Sequence, residues 1–345
     1  MKILICGLGS IGQRHARLLR QVGGKGLQLS CFRARGLDLV ISDRLTADKG
    51  VSPEKLYGLT RFDDLALALA DRPDAVFVTN PISMHVETAL AAARAGAHVF
   101  VEKPLGHSRK NLIELRQALA ERSLVGMVGY QLRFHPAIQI IKDELENGAI
   151  GRLVSAEFHF GEWLPGMHPY EDYRESHAAR QDQGGGVILC LSHEIDIAMW
   201  LVGRPNRVYC VGGHLSNLEL DGVEDTAVIT MSCDVEGRTI PVTVGLDFLQ
   251  KPPRRFLHLV GESGVIHWDY YDNLVIVEEA AGGLKRIHEF PGFARNAMFE
   301  AEIRNFLDAI QGRGNVRIAI EDGIAATEVC LAARDSMNSG RAIDL

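Results

Sequence analysis

The chain has 345 residues, 46% of them hydrophobic and 23% charged, and a formal net charge of −7 at neutral pH. That length and composition suit two globular domains of about 100–200 residues each. They exclude a strongly basic nucleic-acid binder, since phosphate backbones are held by basic surfaces, and no apolar run approaches the ~18 residues that span a bilayer. The N-terminus enters a strand at once, with no basic leader or small-residue cleavage site, so a cytoplasmic protein is expected. The cysteines are scattered singly with no paired spacing and no HExxH pattern is present, so neither a disulfide framework nor a metal is expected.

Lys2–Cys6 is rich in β-branched and apolar side chains and predicts a strand. It runs into Gly7-Leu8-Gly9-Ser10-Ile11-Gly12, and a helical pattern through Ile11, His15, Leu18, Leu19 and Val22 follows at once. A strand, a glycine turn and a helix form the unit that binds a dinucleotide. Gly7 permits the sharp turn, Gly9 lets backbone approach a pyrophosphate, and Gly12 lets helix and strand pack closely. The phosphates then face the unpaired N–H groups of the helix start. Leu27–Phe32 reads as the second strand. Just beyond it, where an acidic side chain would hold the ribose 2′-OH of NAD, stand Arg33-Ala34-Arg35. Two guanidinium groups suit a 2′-phosphate, so NADP is expected, with NAD as the alternative.

Gly36–Gly58 reads as a long connection of mixed structure. Asp63-Asp64 marks a helix start before Leu65–Ala70. Ala75–Thr79 is a short apolar strand ended by Asn80-Pro81, His85–Ala95 a helix, and His98–Val101 a strand that delivers Glu102-Lys103-Pro104 at its C-terminal end. A helix over Lys110–Glu121 and a strand over Val125–Val128 continue the alternation. Such βαβ units predict an α/β, doubly wound parallel sheet, the Rossmann architecture, over residues 1–124. Ligands bind at strand C-termini in these sheets. Gly7–Gly12, Arg33, Thr79-Asn80-Pro81, His85 and Glu102-Lys103 therefore read as one cofactor site.

Residues 125–345 predict an α+β domain with a large, mainly antiparallel sheet, carrying the substrate site and the subunit contact. Phe134–Leu145 is a helix and Leu153–Phe160 a strand. Trp163–Gln183 is a polar loop of the kind that forms lids, and Gly184–Gly186 opens a helix running through Leu201. Alternating runs follow over Asp225–Cys233, Thr239–Leu249, Phe256–Trp268 and Leu274–Glu279. Val228, Val242, Val244, Leu257 and Leu259 read as one apolar face. Helices over Ala297–Gln311 and Ile320–Ser336 close the chain.

Lys103 is the first choice for chemistry. Oxidising a carbinol requires a base for the hydroxyl proton, and a lysine whose pKa is lowered by burial can take it. His193 begins a helix behind a glycine turn, a position that faces a cleft. Arg133, Tyr173, Arg174 and Asp196, with His85, read as substrate contacts, and Arg133 reads equally as an internal ion-pair partner. A lid of arginine, histidine and tyrosine suits a polyhydroxylated or carboxylated sugar, whose buried hydroxyls need partners.

GLGSIGQRHARLL at the start, TNPISMHVETALAAARAGAHVFVEKPL at Thr79–Leu105, GYQLRFHP at Gly129–Pro136, NGAIGRL at Asn147–Leu153, GGGVILCLSHEID at Gly184–Asp196 and EAEIRNFLDAI at Glu300–Ile310 together resemble the glucose–fructose oxidoreductase, inositol dehydrogenase and rhizopine-catabolism family. The resemblance covers nearly the whole chain. It implies a nicotinamide-dependent sugar or cyclitol oxidoreductase, a homodimer or homotetramer, with Lys103 as the catalytic lysine ahead of a cis Lys103–Pro104 bond. His193 becomes the second acid/base or orienting group. The chain departs from the pattern where many relatives carry an aspartate one turn before that histidine, since Leu189 and Cys190 stand there. Asp196, Glu194, Asp172 or Glu175 are the acids available in its stead. The resemblance also admits a lyase or hydratase that keeps its nicotinamide bound, and a non-catalytic dinucleotide-binding regulator.

Overall fold

The computed structural model describes residues 1–34, 38–280, 283 and 285–345. In the first half, β1 (Lys2–Cys6), α1 (Ser10–Gly23), β2 (Gln28–Phe32), the hairpin β3 (Leu39–Ile41) and β4 (Ala47–Lys49), α2 (Pro53–Tyr57), β5 (Thr60–Phe62), α3 (Leu65–Ala70), β6 (Ala75–Val78), α4 (His85–Arg94), β7 (His98–Glu102), α5 (Leu112–Glu121) and β8 (Gly126–Gly129) follow in order. A six-stranded sheet runs β5-β2-β1-β6-β7-β8, every pairing parallel. Helices on both faces explain the unbroken apolar strands: Val76, Phe77, Val78, Val99, Phe100 and Val101 are fully buried. The order turns back at β1, which opens a crevice at the strand ends between β1 and β6. Asp64 caps α3, its Oδ1 accepting from the Leu67 N–H at 2.9 Å.

The second half is built on β9 (Leu153–Gly161), β10 (Pro205–Gly213), β11 (Thr226–Val235), β12 (Arg238–Asp247), β13 (Arg254–Gly261), β14 (Gly264–Asp269), β15 (Leu274–Glu279), β16 (Lys285–Glu289) and β17 (Ile343–Asp344). They form a nine-stranded sheet in the order β16-β15-β14-β13-β9-β12-β11-β10-β17. Its pairings are antiparallel except β9 with β12. The helices are α6 (Pro136–Glu146), α7 (Leu164–Met167), α8 (Val187–Cys190), α9 (His193–Val202), α10 (Asn296–Ile310) and α11 (Ile320–Ser339).

Two C-terminal helices tie the halves together. Phe299, Ile303 and Phe306 of α10 lie in the first core, and the Phe306 ring meets Phe77 and Phe100 at 5.5 and 5.7 Å. α11 places Ile320 and Ile324 in the first core and Val329, Cys330 and Ala333 in the second. The parallel sheet itself runs past the expected division at residue 124, because β8 pairs with β7 from Gly126 to Gly129.

Three local expectations change. Phe256–Trp268 is two strands, because Glu262-Ser263 turns the chain between β13 and β14. The helix expected through Leu201 breaks at Leu191-Ser192 into α8 and α9. Val228 does not share the apolar face of Val242, Val244, Leu257 and Leu259: it is 53% exposed while Ala227 and Ile229 are buried, so the inward parity of β11 falls on the odd residues. Among the described residues no single helix is long and apolar enough to cross a membrane, and no group of three metal-ligating side chains gathers.

Candidate active site

The glycine turn is shaped as its residues require. Gly7 has φ +102°, and a Cβ there would sit 2.8 Å from the Asn80 backbone nitrogen; a Cβ on Gly12 would strike the Gly7 carbonyl. At Gly9, by contrast, nothing lies within 4 Å of a Cβ position. Gly9 is exposed, caps α1 without any side-chain hydrogen bond, and the first turn of α1 holds no acidic residue. Free backbone N–H groups and the positive helix end therefore meet an open cradle, which fits a pyrophosphate. Ser10 borders it; Leu8 is buried behind it and Ile11 half-buried.

The neighbouring strand ends brace this turn. The Thr79 hydroxyl is 2.8 Å from the Gly7 carbonyl and 3.1 Å from that of Cys6, so it holds the loop itself. Asn80 donates to Thr88 Oγ1, leaving its own Oδ1 buried without a partner, and Pro81 starts the turn into α4. His85, expected among ligand contacts, is instead a fastener: Nε2 lies 2.8 Å from the Asn80 carbonyl and Nδ1 2.8 Å from the Pro104 carbonyl. It ties the end of β6 to the turn bearing Lys103, and burial lowers its pKa. Glu102 is likewise committed, one oxygen 2.7 Å from His15 Nε2 and the other accepting from the Lys103 N–H at 3.2 Å.

Arg33 stands at the end of β2, where expected, but is buried with its Nε 2.6 Å from Glu54 Oε1. Its charge is balanced from within the fold. Arg35, the second expected 2′-phosphate contact, lies outside the described residues.

Lys103 is half-buried, follows β7, and precedes a cis peptide bond to Pro104. Its Nζ donates to the Cys190 carbonyl at 2.6 Å, so the two halves of the molecule meet at the ammonium. Burial pushes its pKa below the ordinary lysine value, against Cys190, Glu102 and Glu194. His193 opens α9 beside it, buried, with Nδ1 unpartnered and its ring edge-on to Tyr130 at 5.6 Å. Burial, then Lys103, Arg255 and Arg295, hold His193 well below the usual histidine value, so it is neutral at pH 7.

Four expected substrate contacts are placed elsewhere. Arg133 and Asp196 close on each other, with Nε–Oδ2 2.9 Å and Nη2–Oδ1 2.6 Å, both side chains at most 5% exposed. A buried bidentate pair has no charge to offer a ligand. Arg174 is exposed and bound to Asp172 and Glu219, and Tyr173 accepts from the Glu219 N–H through its hydroxyl. Both fasten the lid rather than line the cleft. Of the acids considered in place of the absent aspartate, Asp172 and Asp196 are thus committed, and Glu194 holds Arg255 at 2.6 Å.

Within electrostatic reach of Lys103, His193 or one another lie further charged and titratable groups that the sequence alone does not single out. Glu162, His168 and His177 come from the loop after β9, Arg255 from the start of β13 and Arg295 from the start of α10. His177 is driven down to about 3 by burial, with His168, Lys103 and His85 nearby. Behind Glu102, Glu302 of α10 is fully buried with both oxygens unpartnered, and burial beside Glu102 and Asp196 raises its pKa far above the carboxylate range. Its sequence signal was an acid within the apolar spacing of Phe299, Ile303 and Phe306.

Residues 1–130 match the family described as an oxidoreductase family with an NAD-binding Rossmann fold, and residues 138–267 match the GFO/IDH/MocA C-terminal domain. The chain is similar to a myo-inositol 2-dehydrogenase of Thermotoga maritima, 25% identical over 100% of this chain and 98% of that protein. Its fold is that of the WlbA dehydrogenase of Bordetella pertussis, solved with NADH and UDP-GlcNAcA (TM-score 0.81, 20% identity, 100% and 98% of the two chains). A levoglucosan dehydrogenase solved with NADH and levoglucosan is equally close (TM-score 0.83, 20% identity, 100% and 99% of the chains). With both domains matched in order along the sequence, the chain belongs to the Gfo/Idh/MocA oxidoreductase family.

Proposed function

We propose that the protein is a nicotinamide-dependent oxidoreductase of a sugar, cyclitol or related polyol, with Lys103 as its general acid/base. The observation that carries this is Lys103 at the C-terminal end of β7, its Nζ bonded to the Cys190 carbonyl just ahead of α9 and its pKa lowered by burial, with neutral His193 within electrostatic reach. When bound, the dinucleotide supplies the hydride acceptor or donor. Gly9, Ser10 and the first N–H groups of α1 hold its pyrophosphate. In oxidation, neutral Lys103 takes the hydroxyl proton at Nζ; in reduction, its ammonium returns one to the carbonyl oxygen. His193 orients the same oxygen. The test is a screen of cyclitols, anhydrosugars, sugar acids and sugar nucleotides, followed through the absorbance of the reduced nicotinamide. Binding without any turnover would overturn the reading in favour of a regulator.

A second reading, a lyase or hydratase that retains its dinucleotide, draws support from Tyr170. This lid residue lies beside Ser10 of the glycine loop, where a lid would hinder release of the dinucleotide, and burial raises its phenol to about 12. In the screen it would show as substrate consumption with no net change in the nicotinamide.

Cofactor choice centres on Arg33. NADP(H) is the proposed preference, and Glu54 tempers it by holding the guanidinium. Glu54→Gln should raise NADP(H) affinity relative to NAD(H), and Arg33→Ala should lower it, by about tenfold, the worth of one charge-assisted contact. An NAD(H) preference untouched by either change, in titrations of both cofactors, would remove Arg33 from this role.

A homodimer or homotetramer in the cytoplasm completes the proposal. Tyr209, Val211 and Val228 stand exposed on the outer sheet face, with Val211 and Val228 directly paired across β10 and β11, and the six cysteines are free thiols. Light scattering at micromolar concentration should give at least twice the chain mass; a single-chain mass would count against the interface.

A further inference from the structure

The carboxylates around Lys103 differ in one respect. Glu102, Glu194 and Glu162 all lie within electrostatic reach of its ammonium. Glu102 is taken by His15 at 2.7 Å, and Glu194 by Arg255 at 2.6 Å. No hydrogen bond or ion pair to the Glu162 carboxylate forms among the described residues. Its backbone, however, is fixed. Glu162 directly follows β9, between β12 and β13, and its N–H donates to the Asp247 carbonyl at 3.0 Å. On α8, the segment nearest the ammonium, Leu189 and Cys190 offer no carboxylate, and Lys103 finds only a backbone carbonyl there.

We propose that Glu162 is the carboxylate that binds substrate hydroxyl groups in this cleft, opposite Lys103. The inference rests on the polyol reading given above and names a residue for it. A half-buried carboxylate without internal partners presents acceptor sites on both oxygens, and vicinal hydroxyls supply matching donors. Its surroundings keep it in place without quenching it: Lys103 at the end of β7, Arg255 on β13, Tyr271 after β14, Arg295 before α10 and His168 in the lid all feel its charge. Burial raises its pKa and the cations oppose that rise. Protonation in acid would therefore remove the charge of the acceptor at a pH above the ordinary glutamate value.

The experiment compares wild type with Glu162→Gln and Glu162→Asp on myo-inositol, levoglucosan and the other compounds of the screen, with NADPH and NADH dissociation measured by fluorescence. For whichever is turned over, Glu162→Gln should raise KM about ten- to a hundredfold, as expected for lost charge-assisted hydrogen bonds. The change in kcat should be smaller, NADH binding unaltered, and Glu162→Asp intermediate. Wild-type KM should rise as pH falls through the Glu162 titration, and the glutamine variant should lose that dependence. If wild type turns over substrate and Glu162→Gln keeps its KM and pH profile, or loses NADH binding as well, Glu162 has no substrate role and the polyol reading stands. If wild type neither turns over nor binds any compound of the screen in calorimetry with NADPH or NADH present, the polyol reading fails and this role fails with it.

Discussion

Lys103→Met is expected to lower turnover by on the order of 10²–10⁴-fold, the usual worth of a positioned general acid/base, while dinucleotide affinity stays close to wild type. The two effects separate because different atoms are responsible. The pyrophosphate would face backbone at Gly9 and the start of α1, in a loop braced by Thr79 and by the His85 clamp, and none of those contacts uses the lysine ammonium. Methionine keeps the length and apolar packing of the stem, so only the proton-transferring end and its bond to the Cys190 carbonyl are lost. The pH dependence carries the sign of the mechanism. In the proposed mechanism oxidation needs neutral Lys103, so its rate should rise with pH through a pKa displaced below the ordinary lysine value by burial; reduction needs the ammonium and should fall over the same interval. Both limbs should vanish from the residual activity of the variant. Near-wild-type rates in Lys103→Met, on any substrate the enzyme accepts, would transfer the acid/base role to another group.

The cofactor half was legible because its determinants are local. A glycine needed at φ +102° and another whose Cβ would strike a carbonyl lie five residues apart in one turn, so spacing alone locates them. Likewise the AVFV and HVFVE strands announce burial on both faces by composition. The substrate half depends on pairings across long sequence separations. Arg133 and Asp196 are 63 residues apart, and Arg255 and Glu194 are 61 apart; a sequence displays four charges there but not which cancel. Parity had the same limit in β11, where Val228 and Ile229 are both good strand formers and only the neighbouring strands decide which faces inward. Phe256–Trp268 looked continuous because both arms of the hairpin alternate with the same period across Glu262-Ser263. Glu162 gave no local signal at all, since its significance arises from the commitments of the other acids.

Arg133→Met should destabilise the fold by about 3–5 kcal/mol at pH 8, because removing one partner strands the other charge in the interior. Asp196 is 1% exposed and receives both of its close hydrogen bonds from that guanidinium, which also lies 3.6 Å from Asp322 and 5.7 Å from the Trp200 ring. Even with Arg133 present, burial raises the Asp196 pKa to about 6, above the ~3.9 of an unfolded aspartate. A folded pKa above the unfolded one means that the folded state binds the proton more tightly. The stabilisation from that proton is complete below pH ~4 and is lost as pH rises through the folded pKa. Without Arg133 the folded pKa moves higher still, so the variant should regain part of its stability on acidification: the deficit against wild type, measured by urea unfolding, should be clearly smaller at pH 5 than at pH 8. A double variant, Arg133→Met with Asp196→Leu, removes both charges and should recover much of the loss at pH 8 with no pH dependence at this site. An equal deficit at both pH values in the single variant would mean that packing against Trp200, and not the stranded carboxylate, is what Arg133 contributes.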